Sequence, residues 1–99
     1  MKDKKGIWLK SNGTMESVVP KNGKTFSIEE LQGFVGGYIE IINLTELGYG
    51  QKFMVCNEEG KQMGLPFNGT ATVLFQALHL FSTDYIVGNV VICDSNMIE

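Results

Sequence analysis

Short turns divide this sequence into segments that have room for only one short helix or strand each. The first turn, Ser11-Asn12-Gly13, lies between two runs that carry apolar residues. An Asn-Gly pair in that setting predicts a β-hairpin, because both residues tolerate positive φ. Further turn-forming runs occupy residues 21–24, 36–37, 45–51, 58–60 and 64–69. The chain is therefore predicted to fold from many short elements.

Apolar patterns between the turns predict five strands. The strand-like runs are residues 6–9, 15–19, 38–44, 52–57 and 85–93. Residues 61–63 could pair back across the preceding turn as a short arm. Gly88 interrupts the last run, which indicates a bulge, a bend or a close approach of the backbone.

Two helices are predicted from capping signals and helical spacing. Ser27 and Glu30 form the two ends of a capping box that begins the first helix. Its inward-facing residues are expected to be Ile28, Leu31 and Val35. The second helix is predicted over residues 71 to about 81, with Asn68 or Thr70 as its cap. Its inward-facing residues are expected to be Ala71, Leu74, Phe75 and Leu78.

These elements, in the order β-β-α-β-β-α-β, predict an α+β fold, because hairpins occur without regular β-α-β alternation. We expect a mainly antiparallel sheet of about five strands, with two short helices on one face. Residues 1–99 are predicted to form a single domain. The hydrophobic share of 43% and the charged share of 19% are typical of a globular protein.

Composition argues against a nucleic-acid or membrane partner. Acidic residues outnumber basic ones by 11 to 8 and arginine is absent, whereas phosphate-binding proteins usually present a basic face. No apolar run approaches the ~20 residues of a membrane-spanning helix. Met1 is followed by charged residues rather than by the apolar segment of a secretory signal. The protein is therefore expected in the cytoplasm, with Cys56 and Cys93 reduced and buried.

No pattern in the sequence predicts a catalytic or metal centre. His79 is the only histidine, and a nucleophilic pair would need it to meet a cysteine or a serine across the fold. One histidine and two distant cysteines also lack the spacing of a zinc site. We therefore predict no catalytic residue, no metal and no cofactor.

The run of residues 64–69 and the helix start that follows form the best candidate for a ligand site. Backbone N–H groups at a helix start can hold an anion, and Gly69 and Thr70 lie there. Asn68 carries both a donor and an acceptor, so it either holds the loop together, which we favour, or contacts a ligand. The loop lacks the Gly-Lys-Ser/Thr ending of a phosphate-binding loop. The other candidates are two aromatic residues expected to be partly exposed, Trp8 and Tyr49.

Three blocks of the sequence carry a family resemblance: GGYIEIINL, MVCNEEGKQMGLPFNGTATVLF and DYIVGNVVIC. They contain an acidic-Gly turn, a Leu-Pro-x-Asn loop, a small-residue helix start and an Asp-x-Ile-x-Gly-x-x-x-Ile pattern. From Val18 to about Cys93, the chain resembles a family of small proteins from phages and mobile elements, catalogued as domain of unknown function 3846. Asn68, Asp84 and Gly88 match that family's pattern, and Asp84 is also one of the candidate ligand-binding residues.

The resemblance implies no activity, but it does imply a gene repertoire in which small proteins without catalytic motifs bind a host protein or sequester a signalling molecule. With no catalytic set in the sequence, it favours a non-enzymatic binding protein of phage or mobile-element type. Such a protein would inhibit a host defence factor or hold a small nucleotide-like ligand, in the cytoplasm of the host cell.

Two other function classes stay open. One is a small hydrolase or transferase acting on a nucleotide-like substrate, with Asp84, Glu40 or His79 as its working residues. The other is a structural or assembly protein, in which exposed strand edges from the first hairpin or the last strand pair between subunits. A homodimer is the oligomeric state that we expect.

Overall fold

The computed structural model describes residues 5–44, 52–79 and 82–99 as an α+β fold with a five-stranded antiparallel sheet and two α-helices. This confirms the predicted fold class and element order. The elements are β1 (Gly6–Leu9), β2 (Met15–Val18), α1 (Ile28–Val35), β3 (Ile39–Asn43), β4 (Lys52–Asn57), α2 (Gly69–Leu78) and β5 (Val90–Asp94). A 3-10 helix, Ser95–Met97, follows β5. No helix in the described ranges is long and apolar enough to cross a membrane.

The strands are arranged in the order β2-β1-β5-β4-β3, and every neighbouring pair is antiparallel. The chain thus makes two pairs, β1–β2 and β3–β4, and joins them through β5, the strand that comes latest in sequence. Val91 of β5 pairs with Trp8 on one side and with Val55 on the other. Consequently β5 is the central strand, and β2 and β3 are the two edges.

The two helices pack on opposite faces of this sheet, which corrects the expectation that both would cover one face. Successive residues of a strand point to opposite faces. In β4, Val55 belongs to the buried cluster that contains Leu31 and Val35 of α1, whereas Met54 belongs to the cluster that contains Ala71 of α2. We call these the α1 face and the α2 face. Because the central strands are apolar on both faces, both faces need a cover.

The last strand is shorter than the predicted run of residues 85–93, because β5 begins only after Gly88. Gly88 has a φ of 75°, and Val87 before it forms an isolated bridge with Phe67 instead of continuing the strand. A Cβ at position 88 would lie 2.8 Å from Leu65 Cδ1. The close backbone approach predicted at Gly88 is therefore confirmed.

Other boundaries differ slightly from the predicted ones. Residues 61–63 belong to a turn rather than to a short arm, and β3 is one residue shorter at each end than the predicted run 38–44. The predicted loop 45–51, which includes Tyr49, lies outside the described residues, as does the predicted helix end at 80–81.

Both helices begin at the predicted caps. Ser27 and Glu30 form the capping box of α1, and Asn68 is the N-cap of α2. Ile28 was expected to face inward but is 50% exposed, because it is the first residue of α1 and precedes the turn that contacts the sheet. The other predicted inward residues are buried or partly buried, namely Leu31, Val35, Ala71, Leu74, Phe75 and Leu78.

We expect Gly88→Ala to destabilise the protein much more than Gly13→Ala. Both glycines have positive φ, 75° and 92°, which costs an alanine roughly 1–2 kcal/mol. Only at position 88 does the added Cβ also meet a side chain, 2.8 Å away, whereas nothing lies within 4 Å at position 13. Overpacking adds about 1–3 kcal/mol. Urea unfolding of both variants measures the difference, and equal midpoints would show that Leu65 moves aside without cost.

Candidate functional site

Asn68 connects three distant parts of the chain through a side chain that is 1% exposed. Its Oδ1 accepts a hydrogen bond from the N–H of Ala71 at 3.0 Å and so caps α2. Its Nδ2 donates to the carbonyl oxygens of Gly88, at 2.8 Å, and Leu9, at 3.2 Å. Both N–H donors of the amide are therefore used within the fold. Asn68 therefore acts as a scaffold residue, because both of its donors are used and its side chain is almost completely buried.

The start of α2 is the anion-binding position predicted from the sequence. Thr70 is exposed and Gly69 is half-buried, so solvent reaches both. The N–H of Ala71 is taken by the Asn68 side chain, and that of Thr72 donates to Asn68 O at 3.0 Å. The helix thus satisfies part of its own N-terminus.

A cleft of about 310 Å³ opens on the α2 face of the sheet, between β3, the turn after β4 and the segment before β5. We call it the β3–β4 cleft. Glu40 and Asp84, whose separation could not be known from the sequence, both line it, and His79 does not. The lining also includes Ile42, Cys56, Glu58, Lys61, Tyr85 and Val87. His79 instead packs against Phe75, with their ring centroids 4.7 Å apart.

Lys61, Asp84 and Tyr85 form a linked group at the cleft. The Lys61 ammonium group is ion-paired with Asp84 Oδ1, and the same oxygen accepts a hydrogen bond from the N–H of Tyr85 at 2.8 Å. Lys61 Nζ also lies 4.3 Å from the centroid of the Tyr85 ring. The hydrogen bond from Lys61 lowers the pKa of Asp84 and raises that of Lys61. Asp84 is therefore ionised at neutral pH, and Lys61 is the contributor that the sequence analysis missed.

The Cys56 thiol forms part of the cleft wall beside Glu40. Its Sγ lies 3.7 Å from Glu40 O and 3.8 Å from Glu40 Oε1. Burial, reinforced by the nearby Glu40 carboxylate, raises the pKa of Cys56 to about 12. Since the thiolate is the nucleophilic form of cysteine, Cys56 is chemically inert near neutral pH.

The β3–β4 cleft is acidic. Its lining carries three carboxylates, Glu40, Glu58 and Asp84, and one ammonium group, Lys61, so three negative charges against one positive leave −2. Among the described residues, no group of three or more histidine, cysteine or acidic side chains is arranged to hold a metal ion. A ligand with a cationic group fits this charge better than one with a phosphate.

Trp8 lies elsewhere, on the α1 face. It is half-buried, its Nε1–H donates to Phe34 O at 3.2 Å, and Lys10 Nζ lies 4.3 Å from its ring centroid. It lines a separate groove of about 390 Å³ with Phe34, Pro66 and Asn89. The Trp8 ring is thus only partly accessible to a ligand or partner.

The predicted ligand-binding residues therefore do not form one site. Asp84 lines the β3–β4 cleft and Trp8 the groove on the α1 face. Gly69 and Thr70 begin α2, where Asn68 is buried as its cap. Tyr49 lies outside the described residues.

The chain belongs to the family described as Domain of unknown function (DUF3846), whose family model matches residues 8–98. A search of curated proteins and a search of solved structures found no significant match. The family match extends the predicted resemblance to almost the whole chain. It also brings the candidate residue Trp8 inside the matched segment, which already included Asn68 and Asp84.

We expect Asn68→Ala to lower the free energy of unfolding by roughly 1–3 kcal/mol, because buried backbone carbonyls and the N–H of Ala71 lose their partners. Asn68→Asp, which retains a capping oxygen, should be no better, because it loses both donors. Thermal and urea unfolding measure these changes. A matched control is Ser27→Ala, which removes the other N-cap. An unchanged melting temperature in Asn68→Ala would assign Asn68 to ligand contact instead.

We expect both thiols to react with Ellman's reagent only on unfolding at pH 8, because burial raises the pKa of Cys56 to about 12 and that of Cys93 to about 11. The unfolded thiols ionise near pH ~8.5, and the folded ones keep their protons. The stability contributed by this difference is full below that pH and is lost as pH rises towards the folded-state values. Cys93→Ala isolates Cys56 in the same assay. Rapid labelling of the native protein would contradict the expectation.

Proposed function

We propose that this member of the DUF3846 family is a non-enzymatic binding protein, whose β3–β4 cleft receives a cationic group of its partner. The observation that carries the proposal is the state of the cleft's functional groups. The Cys56 thiol is protonated, because burial raises its pKa to about 12. The Asp84 carboxylate is ionised and paired with Lys61.

These states suit recognition better than catalysis. A general acid or base works best when its pKa lies near the operating pH. The pKa of Asp84 is lowered and the pKa of Cys56 is raised, so both move away from neutrality. His79 does not line the cleft. The proposal therefore rests on charge and shape rather than on reactivity.

The lining suggests the chemistry of the bound group. The excess of carboxylates favours an ammonium or guanidinium group, which can donate hydrogen bonds to Glu40 and Glu58. Tyr85 is 44% exposed, and its ring already lies 4.3 Å from Lys61 Nζ, which shows that this ring accepts a cation–π contact. Ile42 and Val87 supply apolar wall for the aliphatic stem of a lysine or arginine side chain.

This chemistry supports one of the two partners that the sequence left open. A nucleotide-like ligand would place phosphates against the carboxylates, whereas a protein partner could insert a basic side chain. The form we favour is thus a protein of phage or mobile-element type that holds a host factor through a lysine or arginine.

A second candidate function follows from one observation, namely that Glu40 and Asp84 line the same cleft. A small hydrolase or transferase acting on a nucleotide-like substrate could use such a carboxylate pair. Turnover of a nucleotide that is abolished by Asp84→Asn would establish this alternative and overturn the binding proposal.

We expect the tripeptide Gly-Arg-Gly, acetylated and amidated at its ends so that the guanidinium is its one charge, to shift the backbone amide NMR signals of Gly60, Lys61 and Tyr85, whereas Gly-Glu-Gly capped in the same way and ATP leave them in place. The double substitution of Glu40 and Glu58 by Gln should weaken this binding roughly two- to thirtyfold, because each exposed ion pair contributes about 0.2–1 kcal/mol.

The matched control is Glu29→Gln, which removes an exposed carboxylate from α1 on the opposite face and should leave the affinity unchanged. Larger shifts with ATP than with Gly-Arg-Gly would contradict the proposal. Equal weakening by the control variant would do so as well, because it would mean that net charge alone governs the binding.

A further inference from the structure

Strand β2 forms one edge of the sheet, and its outer side pairs with no other strand of the described ranges. The N–H of Lys10 donates to Thr14 O at 2.9 Å. In an antiparallel pair, hydrogen-bonded and non-hydrogen-bonded positions alternate. Glu16 and Val18 therefore direct their backbone groups towards β1, and Met15 and Ser17 direct theirs outward. Val19, one residue beyond β2, continues this alternation, so that Met15, Ser17 and Val19 form an outward line of residues whose backbone N–H and C=O groups point away from β1.

The outward-facing residues lack most of the features that usually protect a sheet edge; the exception is length, because β2 has only four residues. Such edges are blunted by charged residues, by proline or by bulges, and Met15, Ser17 and Val19 include none of these. The side chains of Met15 and Val19 are 65% and 43% exposed. The charged residue of β2, Glu16, lies on the α1 face, where it pairs with Lys10 at 2.5 Å.

Exposed apolar side chains also flank this edge on the α2 face. Ile7 is paired directly with Ser17 and is 45% exposed. Met15 is paired with Leu9, which belongs to the cluster around α2, so Met15 points to the same face. The apolar surface therefore extends past the part of the sheet that α2 covers and reaches the open edge.

We propose that two copies of this chain pair edge to edge through β2, antiparallel and centred on Ser17. In this register Ser17 faces Ser17 of the second copy, and Met15 faces Val19. Five residues of each copy, from Met15 to Val19, take part without interruption, and Glu16 faces Val18. Like charges therefore do not meet, and Ile7 of each copy flanks the two-fold axis.

The neighbouring registers are less favourable. Centring the pair on Glu16 places the two Glu16 carboxylates directly opposite each other, which is destabilising in a sheet. Centring it on Val18 leaves only residues 17–19 paired before Pro20, whose nitrogen carries no hydrogen to donate. Pairing of the two copies thus joins their five-stranded sheets into one continuous sheet. It does not involve the β3–β4 cleft, which lies beside β3 at the opposite edge of the sheet.

Disulfide trapping tests both the edge and the register. In the proposed pair the Cα atoms of residue 17 in the two copies lie about 5.5 Å apart, a separation that a disulfide can span. We expect Ser17→Cys to form a covalent dimer in most molecules under mild oxidation, as seen on a non-reducing denaturing gel. The natural cysteines, Cys56 and Cys93, are buried and should not interfere.

Two matched variants make the result specific. Glu16→Cys should give little dimer, because its side chain faces Val18 of the second copy rather than itself. Ile41→Cys reports on the other edge, β3, where Ile41 is 43% exposed. Cross-linking that is stronger at position 41 or at position 16 than at position 17 would overturn the proposal.

Sedimentation equilibrium of the unmodified chain gives an independent readout. We expect a concentration-dependent dimer, and a monomer for Ser17→Pro, which removes an outward N–H without touching the bonds to β1. A cooperative thermal transition shows that Ser17→Pro is folded, and Ser17→Ala, which keeps that N–H, should still dimerise. A strict monomer of the natural chain at millimolar concentration would refute the pairing.

Discussion

The hydrogen bonds of the buried Asn68 side chain fix the relative positions of β1, β5 and α2. This side chain contacts the end of β1, the bend before β5 and the start of α2 together. Because an unsatisfied amide is costly in the interior, this arrangement allows few alternatives for the loop of residues 64–69. The bend at Gly88 is thereby placed where β5 can enter between β1 and β4.

The sequence was informative wherever a local rule decides the structure. The hairpin at Asn12-Gly13, the capping box at Ser27 and the cap at Asn68 are local signals, and all three are present. The placement of the helices on opposite faces follows instead from strand order, which has no local signal. The uninterrupted apolar runs of β4 and β5 do indicate a sheet that is buried on both faces. They are the feature of the sequence from which helices on opposite faces could have been predicted.

The candidate site was only partly predictable for the same reason. Glu40, Lys61 and Asp84 come from three separate segments, and only the pairing of β3 with β4 and the path before β5 brings them together. The loop at Asn68 was conspicuous because it is rich in turn residues, but its polar groups serve the scaffold. The turn-forming residues that are conspicuous in the sequence are therefore not the residues that line the β3–β4 cleft.

The central position of β5 has a consequence for biosynthesis. On the ribosome, β1 through β4 are made before the strand that separates them, so the inner edges of β1 and β4 stay unpaired until β5 has been translated. Long-range pairing of this kind slows folding, and unpaired strand edges make incomplete chains prone to aggregation. We therefore expect the nascent protein to need chaperone protection, or rapid completion, more than a domain of this size built from sequential hairpins.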